Sequence, residues 1–184
     1  MAKYPVKSRK SIYKGNIIDV YVDQVEYPNG QVYLRELIEH VPGVCIACLN
    51  DKNQLAFVKQ YRYGIGDDLQ ELPAGKADSY SEDLLEAARR ELEEECGVQA
   101  KRWVDMGKFI PTSAYLTEWI QFYFAYDLTY THQHFDDDEF IELSWIDLDK
   151  AIQMVYTNEL IDGKTIALIL KVANYLTGHS LCYE

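Results

Sequence analysis

The first half of the chain alternates apolar and polar residues in a way that predicts strands. Residues 17–27 (IIDVYVDQVEY) and 31–41 (QVYLRELIEHV) are rich in β-branched and aromatic residues, and the PNG between them predicts a hairpin turn. Two more strands are predicted at 43–50 and 54–63, with the polar turn DKN between them. LQELPAG, which follows, reads as a short extended segment that ends in proline and glycine.

The second half adds strands at about 102–110, 118–130 and 139–146. The strand at 118–130 has apolar residues on both faces, which is typical of a central strand. Together with the helices described next, these segments predict an α/β fold. In that fold a mixed sheet packs between helices behind an N-terminal antiparallel hairpin.

Three helices are predicted from periodicity and end signals. The first covers about 82–96, with Gly97 as its C-terminal stop. Ser81 is its candidate N-cap, and Ser79-x-x-Glu82 is a competing capping box. The other two lie near 148–157 and at 164–176. The last helix has a stripe of apolar positions predicted to face the core: Ile166, Ile169, Leu170, Ala173 and Leu176.

Composition and charge narrow the possible functions. The 184 residues suit one domain, or one domain with a small addition, and 48% of them are hydrophobic. No apolar run reaches the roughly 18 residues of a membrane span, and the basic start lacks the apolar region of a secretory signal, so we expect a cytoplasmic protein. The net charge of −12 argues against nucleic acid as a partner. An anionic ligand would need a bridging divalent cation.

Cys45 and Cys48 form a C-x-x-C pattern inside a predicted buried strand. Residues three apart on a strand point to opposite faces, so one metal ion could not easily use both thiols. We interpret these cysteines as reduced core residues.

The stretch RRELEEECGV, residues 89–98, concentrates four glutamates in five positions. On a helix, Glu91, Glu94 and Glu95 project together, because positions three and four apart stack over one another. No residue three or four positions from Glu91 or Glu95 is basic. A solvated acidic face is one interpretation. The other is a site for a hard cation such as Mg²⁺ or Mn²⁺, which prefers oxygen ligands.

The surrounding residues favour the second interpretation. GKADSYSEDLLEAARRELEEECGV, residues 75–98, resembles the Nudix box, G-x5-E-x7-R-E-U-x-E-E-x-G-U with U aliphatic. From Glu82 onward the match is complete, whereas six residues rather than five separate Gly75 from Glu82. VKQYRY, QELPAGK and the N-terminal YPNGQVYLRELIEH resemble the ADP-ribose pyrophosphatase branch of the Nudix hydrolases. Pro111 is followed by Thr112 where that branch usually has Pro-Gly.

The resemblance implies a Nudix α/β/α sandwich, with residues 1–41 as an N-terminal hairpin extension and 42–184 as the Nudix domain. It also implies a hydrolase of a nucleoside diphosphate linked to another group. The metal ligands carried over are Glu91, Glu94, Glu95 and the carbonyl of Ala74. Arg90 would orient the glutamates. In the substrate site, Arg62 would meet the phosphates, Glu71 would lie beside the metals, and Arg35 would lie near the nucleoside.

Two hypotheses concern groups outside the box. Glu139, at the end of the acidic loop FDDDE, is a candidate general base that could swing toward a bound ligand, with Glu94 as the alternative. The hairpin is long, and an isolated two-stranded hairpin is marginally stable at best unless it packs on more than itself. In the branch that the sequence resembles, this hairpin often crosses to a partner subunit. We therefore expect a homodimer.

Three functions remain open from the sequence. The first is an ADP-ribose diphosphatase that yields AMP and ribose 5-phosphate. The second is a hydrolase of another nucleoside diphosphate sugar, such as GDP-mannose or UDP-glucose. The third is a Nudix-like domain that senses a nucleotide without cleaving it, which the full set of box glutamates disfavours.

Overall fold

A computed structural model describes residues 4–134 and 140–178, and the described chain contains ten strands and three helices. The strands are β1 Val6–Lys14, β2 Asp19–Glu26, β3 Val32–Glu39, β4 Gly43–Cys48, β5 Gln54–Arg62, β6 Asp67–Glu71, β7 Ala74–Lys76, β8 Val98–Phe109, β9 Ile120–Tyr130 and β10 Glu142–Asp147. The helices are α1 Leu84–Cys96, α2 Leu148–Tyr156 and α3 Gly163–Leu176. No described helix is long and apolar enough to cross a membrane.

The predicted N-terminal hairpin is confirmed as the antiparallel pair β2–β3, but a third strand extends it. Gly30 closes the turn with a φ of 75°, which glycine adopts without strain. β1 was not predicted, because every one of its residues is exposed and it carries no buried apolar face. It pairs with β2 and is fastened by Arg9, whose Nε and Nη2 each donate to Asp23 at 2.8 Å.

The rest of the chain forms two sheets. One has the order β7-β4-β9-β8, and within it only the pair β4–β9 is parallel. The other is antiparallel with the order β10-β5-β6. β9 therefore lies between two neighbours, as the apolar residues on both of its faces predicted.

Helices cover both faces of the four-stranded sheet, which gives the α/β/α sandwich. α1 packs on one face, where Ile46 and Cys48 meet Ala88 and Leu92. α2 and α3 pack on the other face, where Cys45 lies in the same core cluster as residues of both helices. Cys45 and Cys48 thus point into different cores, and burial raises the pKa of the Cys48 thiol to about 12. Both are core residues, as interpreted from the strand alternation.

The segment predicted as one extended piece is two strands with a break at Pro73. β6 ends at Glu71 and pairs with β5, whereas β7 begins at Ala74 and pairs with β4. Proline has no N–H to donate to a sheet, so the chain leaves one sheet here and joins the other. Glu71 and Ala74 consequently lie at adjoining ends of two different sheets.

α1 begins slightly later than predicted and uses a different cap. Asp83, not Ser81, is the N-cap, and its carboxylate accepts hydrogen bonds from the N–H groups of Leu85 and Glu86. Glu82 is used outside the helix, where it accepts a hydrogen bond from the N–H of Asp78. The helix ends at Gly97 with a φ of 61°, as predicted.

The buried stripe of α3 also differs from the predicted one. Thr165, Leu168 and Val172 are fully buried, whereas the predicted core residue Leu176 is 45% exposed. The sequence TIALILKVANYL is apolar around most of the helix, so periodicity alone did not select the face that packs. The observed rotation carries Thr165 and its neighbour Lys164 toward the end of β6.

Candidate active site

The glutamates of α1 face the edge of the sheet where β7 begins. Glu95 is only 3% exposed, and its Oε2 accepts a hydrogen bond of 3.0 Å from the N–H of Ala74. The carboxylate of Glu91 lies directly over Gly75. Glu95 and Glu91 are therefore held against two consecutive residues of β7, Ala74 and Gly75 respectively.

Gly75 makes this close approach possible. A Cβ added at Gly75 would lie 2.0 Å from Cδ of Glu91 and 2.1 Å from its Oε1. A real Cβ essentially never comes that near another heavy atom, so any side chain here would displace the Glu91 carboxylate. The first glycine of the box is thus required by packing against the helix, not by a turn.

Arg90 contacts Glu91, although no basic residue lies three or four positions from Glu91 in the sequence. Its Nη1 donates to Glu91 Oε1 at 2.8 Å and to Glu94 Oε2 at 3.1 Å. Adjacent residues on a helix do not face one another, so the helical spacing did not predict a contact between Arg90 and Glu91. The contact forms because the long arginine side chain bends back toward Glu91. Burial tends to lower the pKa of Arg90, and the charges of Glu91 and Glu94 more than offset that effect.

The same guanidinium ties the loop that contains the additional residue of the box to the helix. Arg90 Nη2 donates to the carbonyl of Lys76 at 3.3 Å and lies 3.8 Å from carboxylate oxygens of both Asp78 and Glu82. The extra residue is therefore absorbed in a loop that is anchored at several points, and the register of the glutamates on α1 is unchanged.

A second group of charged residues lies on the other side of Pro73. Glu71 is 2% exposed, and its Oε2 accepts a hydrogen bond of 2.7 Å from Arg62 Nε and forms an ion pair with Arg62 Nη2 at 2.6 Å. Its other oxygen, Oε1, accepts a hydrogen bond of 2.6 Å from Lys164 Nζ. Lys164 also bonds Asp162 at 3.0 Å.

Sequence reasoning missed Lys164, Asp162 and Thr165. The spacing of Asp162 and Thr165 is the only signal that could have drawn attention to them, because it fits an N-cap, and Asp162 does accept a hydrogen bond from the N–H of Thr165. Nothing local indicates that Lys164 is buried, since its partner Glu71 is 93 residues away.

The connecting segment between the two groups is held from three directions. The N–H of Leu72 donates to Thr165 Oγ1 on α3 at 2.9 Å. The carbonyl of Pro73 accepts from the N–H of Ile46 on β4 at 2.8 Å, and Ala74 donates to Glu95 on α1. The glutamates of α1 and the pair Arg62–Glu71 are thus fixed relative to each other.

The oxygens at this edge suit a hard divalent ion. Three carboxylates and a backbone carbonyl are the ligand types that Mg²⁺ takes in proteins. Glu94 is the most accessible of the three acids, with 38% of its side chain exposed, whereas Glu91 has 13%. Within residues 4–134 and 140–178, no three acidic, histidine or cysteine side chains enclose an ion as they stand. The donors fit the metal by chemistry and location, and Arg90 bonds one oxygen of Glu91 and one of Glu94.

Arg35 and Glu139 were also predicted as site residues. Arg35 is on the N-terminal sheet, where its guanidinium is 4.8 Å from the ring of Tyr27 and donates to the Tyr27 hydroxyl at 3.0 Å. Glu139 and the acidic residues before it lie outside the described residues. The segment that leads to them runs along the end of α1: Gln133 Nε2 donates to the carbonyl of Glu95 at 2.7 Å.

Comparisons with known proteins agree with this architecture. A family model for the NUDIX domain matches residues 39–169. The chain is 32% identical over 160 residues to a Bacillus subtilis (strain 168) protein named ADP-ribose pyrophosphatase, with 86% of each chain covered. It is 30% identical over 174 residues to a Mycobacterium tuberculosis (strain ATCC 25618 / H37Rv) protein of the same name, with 93% of this chain and 84% of the relative covered.

The chain is also similar to two further proteins. The chain is 32% identical over 162 residues to the methanol dehydrogenase activator of Bacillus methanolicus, with 87% of each chain covered. A solved structure of an ADP compounds hydrolase superposes with a TM-score of 0.85 at 20% identity, over 98% of this chain and 97% of the other. At that identity the superposition is a likeness of fold.

Proposed function

The chain belongs to the Nudix hydrolase family, and from that premise we propose that it is a Mg²⁺- or Mn²⁺-dependent diphosphatase that cleaves ADP-ribose to AMP and ribose 5-phosphate. The observation that carries the proposal is the meeting of two groups at the β6–β7 connection. Glu91, Glu94 and Glu95 converge on one side of Pro73, and the half-exposed Arg62 is held on the other. In the proposal, the carboxylates bind a divalent metal ion, and the neighbouring guanidinium of Arg62 binds the substrate's phosphate.

This arrangement matches what pyrophosphate hydrolysis needs. The substrate carries concentrated negative charge, and a bound divalent ion would neutralise part of it and make a water molecule a better nucleophile. In the proposal, Glu91, Glu94, Glu95 and the carbonyl of Ala74 hold that ion. Because the protein's net charge is −12, the ion and Arg62 are what allow an anionic substrate to approach.

The remaining roles are assigned to residues of this chain. Arg62 binds a phosphate oxygen, and Arg90 orients Glu91 and Glu94. Glu139 accepts the proton of the attacking water, or orients that water, and Arg35 contacts the nucleoside part of the substrate. A positioned general base contributes about 10²–10⁴-fold to a rate.

ADP-ribose is the first candidate substrate because two of the relatives are named ADP-ribose pyrophosphatase. Another nucleoside diphosphate sugar is the second candidate, because one feature of the sequence departs from the pattern of the ADP-ribose pyrophosphatase branch. Pro111 is followed by Thr112 and Ser113, in a loop where the resembling branch has Pro-Gly. Thr117 in the continuation of this loop bonds the N–H of His40 at 3.0 Å, so the loop also contacts the N-terminal sheet.

A substrate panel distinguishes the two candidates. The protein is incubated with Mg²⁺ and ADP-ribose, NADH, GDP-mannose, UDP-glucose or a dinucleoside polyphosphate, and the products are separated and identified. We expect kcat/KM to be highest for ADP-ribose, with AMP and ribose 5-phosphate as products. A higher kcat/KM for GDP-mannose or UDP-glucose would replace the substrate assignment. Absence of metal-dependent turnover with the whole panel would refute the proposal.

The proposal includes a homodimer in the cytoplasm, formed through the N-terminal extension at residues 1–41. All nine residues of β1 are exposed, and large apolar side chains on this sheet face solvent, among them Ile12, Tyr13, Val32 and Leu34. The extension meets the Nudix domain through Ile38, whose N–H donates to the carbonyl of Tyr115 at 2.7 Å. A second subunit would cover the exposed apolar side chains.

A further inference from the structure

Lys164 is a largely buried cation between the buried Glu71 and the partly buried Asp162, and it is not one of the residues that the box or its neighbours bring to the site. Its side chain is 13% exposed, and its Nζ bonds Glu71 at 2.6 Å and Asp162 at 3.0 Å. Glu71 in turn binds Arg62. We propose that Lys164 is a positioning residue that balances the charge of Glu71 and thereby leaves Arg62 able to bind the substrate's phosphate.

The hydrogen bonds around Glu71 divide its two oxygens between two cations. Oε2 accepts a hydrogen bond from Arg62 Nε and pairs with Nη2 of the same guanidinium, and Oε1 accepts a hydrogen bond from Lys164 Nζ. Within residues 4–134 and 140–178, no protein group bonds the third nitrogen of Arg62, Nη1, and 37% of the arginine side chain is exposed. Glu71 therefore holds Nε and Nη2 of Arg62, and Nη1 is left for a ligand.

The charges in this cluster sum to zero. Arg62 and Lys164 are positive, and Glu71 and Asp162 are negative. If Lys164 loses its charge, Glu71 and Asp162 are balanced only by Arg62, and the net charge beside the phosphate site becomes −1. Arg62 is then drawn toward Glu71, and an incoming pyrophosphate meets a negative cluster. Substrate binding should weaken more than the chemical step, because the box glutamates are untouched.

The surrounding contacts hold Lys164 in its charged form and in place. Burial by itself would lower the pKa of Lys164, but the charges of Glu71 and Asp162 raise it above the ordinary value. The helix turn that carries it is fixed independently, because Asp162 caps α3 and Thr165 accepts a hydrogen bond from Leu72. A substitution that removes only the charged end of Lys164 consequently leaves the Asp162 cap and the Thr165–Leu72 hydrogen bond in place.

The inference rests on the proposed function, and its test begins with four proteins: wild type, Lys164→Met, Lys164→Arg and the control Lys171→Met. Lys171 is an exposed lysine on the same helix, so its replacement makes the same charge change away from the cluster. With ADP-ribose we expect Lys164→Met to raise KM about tenfold and to change kcat less than about threefold. Lys164→Arg should recover most of the loss, and Lys171→Met should resemble wild type.

The double variant Glu71→Gln/Lys164→Met tests how Lys164 acts. It removes the negative charge together with the positive one and restores neutrality around Arg62. If Lys164 works through Glu71, KM in the double variant falls back toward wild type relative to Lys164→Met. A double variant that binds no better than Lys164→Met would overturn the inference, because Lys164 would then act on the substrate directly. So would a loss in Lys164→Met confined to kcat.

A measurement without substrate separates this inference from the substrate assignment. The ¹⁵N resonance of Arg62 Nε reports its bond to Glu71, and we expect it to shift in Lys164→Met but not in Lys171→Met. An unchanged resonance in Lys164→Met would refute the link between Lys164 and Arg62. If wild type hydrolyses nothing in the substrate panel, the proposed function alone fails, since the resonance comparison needs no ligand.

Discussion

Replacing Gly75 by alanine should separate catalysis from folding, because the three heavy atoms nearest to the added methyl group all belong to the carboxylate of Glu91, the proposed metal ligand. The ideal Cβ position is 2.0 Å from Cδ of Glu91, and ordinary van der Waals contact begins at 3.4 Å. The carboxylate must therefore retreat by about 1.4 Å. Gly75 does not have a positive φ, so alanine fits the backbone of β7.

The size of the effect follows from that displacement. Ligands of a metal ion are held to about ±0.2 Å, and misplacing a catalytic group by about 1 Å can cost roughly 10²-fold in rate. We expect kcat of Gly75→Ala to fall about 100-fold, which corresponds to about 2.7 kcal/mol of activation free energy. The melting temperature should change little, because a carboxylate at the end of a flexible side chain can move aside.

The assay measures kcat, the Mg²⁺ concentration for half-maximal rate, and the melting temperature. Gly64→Ala is the matched control, because a Cβ at Gly64 meets nothing within 4 Å. Adding Gly75→Ala to Glu91→Gln should cost little more than Glu91→Gln alone, since both act on the same carboxylate. Near wild-type kcat in Gly75→Ala, or a full additional loss in the double variant, would refute this reasoning.

Three further predictions concern the box, the general base and assembly. Glu95→Gln should lower kcat at least about 100-fold by removing a metal ligand, while circular dichroism shows a folded protein; near wild-type turnover would contradict the metal assignment. Glu139→Gln should lower kcat by about 10²–10⁴-fold and flatten the acidic limb of the pH–rate profile, with KM little changed and Asp137→Asn as an unaffected control; a raised Mg²⁺ requirement would make Glu139 a ligand instead. Light scattering at micromolar concentration should give a dimer mass, and a fully active monomer would exclude the proposed assembly.

Features that depend on near neighbours in the chain were predicted well. The hairpin of β2 and β3, the opposite faces of Cys45 and Cys48, and the end of α1 at Gly97 all follow from local alternation or local backbone preference. The register of the glutamates on α1 has the same origin, because the helical repeat places positions three and four apart on one side. The Nudix resemblance rests on that register as well.

Features that depend on distant partners were predicted poorly or not at all. β1 has no buried face of its own and is recognisable only through its pairing with β2 and the contact of Arg9 with Asp23. The buried face of α3 was predicted only in part. Ile169 is buried as predicted but Leu176 is exposed, because the helix is apolar on several sides and only packing against the sheet selects one. Helix spacing also left out the contact of Arg90 with Glu91, which depends on how a long side chain bends.

The sequence by itself determined the family, the helix that carries the acids and the order of those acids, because a short periodic segment encodes them. Only the tertiary structure decided what stands beside them. Gly75 meets Glu91 because β7 joins β4 at the sheet edge, and Lys164 meets Glu71 across 93 residues because α3 packs with its first turn against the end of β6. Such contacts depend on sheet order and helix rotation, and these arise from burying the whole core at once rather than from any local repeat.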